Sequence, residues 1–112
     1  MGMQTNVVHD RTLGAGVAAT VALTPSGEIE VLSVRYHADG ASAAENLTVE
    51  IDSGTAAAYD AVLHTKAMNG LTDYVWTPTT PQPVEKGDVL DINYANSNAD
   101  DWGIEIVYRK LY

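Results

Sequence analysis

VLDINYANSNADDWGIEIVYRKLY, residues 89–112, is the stretch on which the fold turns. Leu90, Ile92 and Tyr94 alternate with Asp91 and Asn93. Trp102, Ile104, Ile106 and Tyr108 alternate with Gly103, Glu105 and Arg109. A period of two belongs to extended backbone with one side buried. Both runs therefore read as walls of a core, with Leu90, Ile92, Ile104 and Ile106 inward and Asp91, Asn93, Glu105 and Arg109 outward. The two runs read as a strand pair, with Asn96 to Asp101 as the connecting loop, since Asn and Asp tolerate turn conformations. Gly103 beside Trp102 implies a bulge or the close approach of another segment.

The same period recurs upstream. Odd positions from Leu13 to Leu23 read Leu, Ala, Val, Ala, Val, Leu, although Gly14 and Gly16 weaken the start, so a firm strand is expected only from Val17. TPSGE, residues 24–28, is a turn in which Pro25 presets φ and Gly27 is expected to take positive φ. In EIEVLSVRYH the apolar phase switches between Val31 and Leu32, which predicts a bulge or a strand covered on both sides. NLTVEID, AYDAVLH and YVWT add further strands, with a break at Asn69-Gly70. PTTPQPVEKGD, residues 78–88, holds three prolines and is expected to stay out of any ladder's interior. The best helical rival is TAAAYDAVLHTKAM, residues 55–68. Seven or eight short strands about ten residues apart predict an all-β chain: an antiparallel two-sheet β-sandwich, jelly-roll-like. We expect residues 1–12 to form an N-terminal arm and residues 13–112 a single domain.

Composition narrows function. Thr, Val and Ile supply 28 of 112 residues, which favours strands; Phe is absent, so Tyr, Trp and aliphatic residues must fill the core. There is no Cys, hence no disulfide, thiolate metal site or cysteine nucleophile. No run nears the roughly 18 apolar residues of a membrane span, so no membrane partner is expected. The opening residues lack the basic-then-apolar order of a secretory leader. Fifteen acidic against six basic residues give a net charge of −9, which repels phosphate backbones and argues against nucleic acid. An acidic chain can still dock on a basic surface.

Candidate chemistry is sparse. His9, His37 and His64 lie in three separate segments without metal-ligand spacing. Glu28/Glu30 and Asp100/Asp101 are pairs that chance supplies in so acidic a chain, not a pair set across a cleft. GAG, residues 14–16, opens into a strand and is no phosphate loop. Asp52, Asp60, Asp88, Asp91, Asp100 and Asp101 fall near strand ends, where calcium ligands could converge, but no D-x-D-x-D-G loop occurs. We expect no catalytic residue, no cofactor and no metal. Trp102 and Tyr94 read as core. Trp76 abuts the proline-rich loop and, with Tyr74, reads as a contact anchor.

VALTPSGEIEVLSVRYHADGASAAENLTVEIDSG (21–54), AAYDAVL (57–63) and VEKGDVLDINYANSNADDWGIEIVYR (84–109) together resemble small β-sandwich virion proteins of tailed double-stranded-DNA bacteriophages. The likeness spans Val21 to Tyr108, and its motifs are structural. Head-decoration, or cement, proteins are the class of that group it resembles in length and domain number. The resemblance implies a non-enzymatic virion protein, made in the host cytoplasm and seated on the capsid surface. Its implied partners are the major capsid protein and further copies of itself, as dimer or trimer. It also implies a terminal arm reaching a neighbouring subunit. The expected contact residues are Met3, Gln4, Thr5, Asn6, Val7 and Val8 of that arm, with Tyr74 and Trp76. The alternative is a tail or fibre adhesin, or carbohydrate-binding module, whose partner is a host surface glycan.

Overall fold

A computed structural model describes residues 6–112. Nine strands occur among them: β1 (Val7–Ala15), β2 (Ala19–Leu23), β3 (Ile29–Ala38), β4 (Asn46–Asp52), β5 (Ala61–Ala67), β6 (Asp73–Trp76), β7 (Gln82–Val84), β8 (Val89–Tyr94) and β9 (Asp101–Lys110). One sheet runs β1-β9-β3-β6, with β7 also on β3; the other runs β2-β8-β4-β5. Every pairing is antiparallel. The two sheets share one buried cluster, so the chain is an all-β, two-sheet antiparallel sandwich.

The inward residues are those that the period of two selects. Leu90, Ile92 and Tyr94 of β8 meet Trp102, Ile104 and Ile106 of β9 in the core, with Leu47 and Val49 of β4. Each fully buried aliphatic side chain contributes about 1.5–3 kcal/mol. In β3 the register shifts between Val31 and Ser33, leaving Leu32 as the extra residue. That bulge lets Ile29 and Val31, then Val34 and Tyr36, all face the core.

Several expectations need correction. β8 and β9 are not partners: β8 lies between β2 and β4, and β9 between β1 and β3. The 95–100 connection is an arch between sheets, made possible by positive φ at Asn96 (55°) and Ala99 (54°). Among the described residues the strand count is nine rather than seven or eight. β1 starts at Val7, so residues 7–12 belong to a sheet instead of an arm, and their register with β9 runs unbroken from Val7–Arg109 to Ala15–Asp101. The run from Leu13 to Leu23 is two strands in different sheets, split at Gly16, where φ is +69°. Its alternation continues across the split because small residues fit both sides, and Leu13 lies outside the core. Gly27 does not take positive φ; a Cβ there would collide with the Tyr112 ring. The proline-rich segment does enter a sheet, as β7, whose Pro83 stands opposite Glu30. A strand with one neighbour has an open side on which the missing N–H costs nothing. The helical rival resolves into the 3-10 turn Ala57–Tyr59 and β5.

Candidate functional site

The expected contact residues do not converge. Met3, Gln4 and Thr5 lie outside the described residues. Asn6 is exposed, and its carbonyl accepts a hydrogen bond from the Lys110 amide at 2.9 Å. Val7 and Val8 are half-buried strand residues; Val8 pairs with Tyr108 on the core side and Val7 with Arg109 on the outer side. Tyr74 and Trp76 sit on β6, at the opposite edge of the sheet from β1. They pair with Tyr36 and Val34, whose side chains are buried, so they face inward.

There they close the seam between the sheets. The His64 ring of β5 stacks on Tyr74 and on Trp76, each with centroids 5.6 Å apart. Its Nε2 lies 2.5 Å from the Tyr74 hydroxyl. The Lys66 ammonium sits 5.3 Å from the Tyr74 ring centre. Each of the two rings thus has a stacking contact with His64 and packs against the core margin.

The outer face of the β1-β9-β3-β6 sheet carries a constellation that sequence reading missed. Arg11, Glu105, Arg35 and Val75 form one row across four strands, and Leu13, Gly103, His37 and Asp73 form the next. All three arginines and two of the three histidines lie on this face. Glu105 accepts a 2.6 Å hydrogen bond from Arg11 Nε and stands 3.4 Å from Arg35 Nε and 3.5 Å from His9 Nδ1. Its side chain is 7 % exposed, while those of Arg11 and Arg35 are 74 % and 60 % exposed. The cover over Glu105 is made of the arginines themselves, so water remains near and the energetic gain is modest. The Arg11 hydrogen bond, followed by the charges of Arg35, Arg11 and His9, holds the Glu105 carboxyl below its ordinary range against the opposing effect of burial. Glu105 in turn holds two like-charged guanidinium groups side by side. His37 pairs with Asp73, and Arg109 with Glu30 at 3.2 Å.

Gly103 has no side chain to fill this face, which leaves an open depression of about 530 Å³ between Leu13 and Val75. Leu13 is 86 % exposed. No sequence signal marks the site, because its residues are 24 and 70 positions apart (11, 35 and 105) and each alone reads as a solvated strand position.

The outer face of the β2-β8-β4-β5 sheet carries carboxylates with no arginine among them. Ala22, Asp91, Glu50 and Val62 form a row across its four strands, with Asp52 beside it. Burial, then Asp52 and Glu50, push the Asp91 carboxyl above its ordinary range. Among the described residues no Lys, Arg or His forms an ion pair with Glu50, Asp52 or Asp91.

The aspartates weighed for calcium separate to the two ends. Asp60 accepts from the Ser53 amide at 2.7 Å, and Asp88 from the Gly54 and Glu85 amides at 3.0 and 3.3 Å. At the other end Asn96 donates to the Val17 and Asp100 carbonyls, and Asp39 accepts from the Asp101 amide. Among the described residues no three His, Asp or Glu side chains stand together as a metal site.

By class, then, this is a two-sheet antiparallel β-sandwich, with ion-paired arginines on one outer face and the Glu50/Asp91 carboxylates on the other. No protein-family model and no curated protein matches it. Among solved structures it is similar to the Drosophila NLP core, a structure described as giving insight into pentamer formation and histone binding. That likeness covers 91 % of this chain and 98 % of the other, at 9 % identity and a TM-score of 0.51, and it shows the fold alone.

Proposed function

We propose that this chain is a non-enzymatic structural protein of a phage virion that decorates the capsid and bridges neighbouring major-capsid subunits. The supporting observation is that its side-chain chemistry is laid out on two open sheet faces, which suit docking against another protein. A cleft in which catalytic groups converge would have favoured an enzyme. The strand order supports the jelly-roll reading: β1, β3, β6 and β9 alternate along the chain with β2, β4, β5 and β8 of the other sheet, apart from the β4–β5 neighbours and the short β7. Clamping would draw on summed burial, with about 1,600 Å² sufficient for a specific contact and repeated copies raising the effective concentration. Cosedimentation with heads of the phage that encodes the chain tests this. Attachment is the expected result, and a chain left in the supernatant at every concentration would overturn it.

The adhesin reading draws less support, since Tyr74 and Trp76 spend their faces on His64 and the core. A second reading has its own observation: the acidic row of Asp91, Glu50 and Asp52, on a fold shared with a protein described by its histone binding, suits a basic protein partner. Binding to a purified histone octamer, lost in Glu50→Gln/Asp91→Asn, would favour it over the capsid.

A further inference from the structure

The two faces complement each other. One presents Arg11 and Arg35 flanked by exposed Leu13 and Val75; the other presents Asp91 and Glu50 flanked by exposed Val62. We propose that the Arg11/Arg35 face of one copy docks on the Asp91/Glu50 face of a second copy, a head-to-tail contact between chains.

The argument runs through charge and symmetry. Arg11 and Arg35 face Glu105 through their Nε atoms, and both side chains remain largely open to solvent. Carboxylates are the natural partners of such guanidinium groups, which can engage them two hydrogen bonds at a time. Asp91, Glu50 and Asp52 crowd together without a cation from their own chain, so an incoming arginine pair relieves their mutual repulsion. A two-fold contact through either face would leave the Asp91/Glu50 row without an arginine, whereas the head-to-tail arrangement brings the two rows together. The molecule measures 46 × 39 × 24 Å, and the sheets stack along a slab whose broad faces exceed the roughly 800 Å² per partner of a standard interface. Because the outer faces of two stacked sheets look in opposite directions, the contact repeats beyond two copies. The −9 charge of each copy opposes association, but salt screens that repulsion beyond about 8 Å at physiological ionic strength, while the paired groups come closer than this.

This inference needs no capsid, so it stands or falls apart from the reading above. The test is sedimentation equilibrium of the full chain over a concentration series at physiological salt. The expected result for the wild type is a weight-average mass that climbs past twice the 12.0 kDa of one chain. Glu50→Lys/Asp91→Lys keeps the arginine face but loses its acceptor, so alone it stays monomeric. Added in small proportion to wild type it caps the stacks and lowers their mass. Arg11→Gln/Arg35→Gln, checked for a strand spectrum by circular dichroism, tests the other side and is expected to be monomeric. A wild type that stays monomeric throughout, one that stops at a dimer, or a Lys variant that associates like wild type would each overturn the proposal.

Discussion

Gly14 and Trp102 stand opposite each other in the β1–β9 pair, and the indole occupies the space that a Cβ at position 14 would need. The indole Nε1 donates to the Val17 carbonyl at 2.9 Å, which fixes the ring over the glycine. Gly14→Ala is therefore expected to destabilise the fold by about 1–3 kcal/mol through overpacking. Gly70→Ala, at φ +79° with nothing within 4 Å, is expected to cost about 1–2 kcal/mol through the backbone alone. Urea midpoints compare the two. A Gly14→Ala protein as stable as wild type would mean that the indole moves aside freely.

Glu105→Gln leaves Arg11 and Arg35 facing each other without the charge that holds them. A loss of about 1–2 kcal/mol at neutral pH is expected from the weakened charged hydrogen bond. The folded carboxyl lies below its ordinary range, so its contribution is present above the unfolded-state value and is lost as pH falls through the folded value. Acid titration of stability should therefore be shallower in Glu105→Gln. Parallel wild-type and variant curves would remove Glu105 from the acid response.

At high pH the sign reverses. Burial raises the Tyr36 phenol, with the nearby Ser42 hydroxyl opposing it and Tyr94, Asp100 and Asp39 adding to it; burial also raises Tyr108. Stability should hold up to the unfolded tyrosine value near pH 10 and decline above it, as the unfolded chain loses protons first. Tyr36→Phe should soften that decline, as read from melting temperatures across the alkaline range.

Removing residues 3–6 leaves every described strand intact, and the melting temperature should stay within a few degrees of wild type. Removing 3–10 takes Val7 to Asp10 from β1 and uncovers Ile106 and Tyr108 of β9, so that deletion should melt far earlier. Equal melting of both would show that β1 adds little to the sheet.

Trp76→Ala is expected to destabilise the sandwich by about 1–2 kcal/mol, because it empties one side of the His64 stack and part of the core margin. Thermal melting measures this. An unchanged melting temperature together with lost binding on a glycan array would turn the assignment toward an adhesin.

The two layers are legible in the chain before any contact is known. Alternation in residues 89–94 and 101–108 marks Leu90, Ile92, Ile104 and Ile106 as inward, and the phase switch at Val31–Leu32 marks the β3 bulge, because side-chain direction follows residue parity along a strand. Tertiary structure alone decided which strands are neighbours, since parity carries no information about the partner. The 95–100 segment reads as the loop of a strand pair until β8 and β9 are seen in different sheets and Asn96 is seen buried, its amide bridging to Val17. The same blindness hid the two faces. Arg11, Glu105 and Arg35 become one ion cluster only when β9 inserts between β1 and β3, and Glu50 meets Asp91 only when β8 lies beside β4, because charge complementarity is a property of surfaces assembled from distant residues.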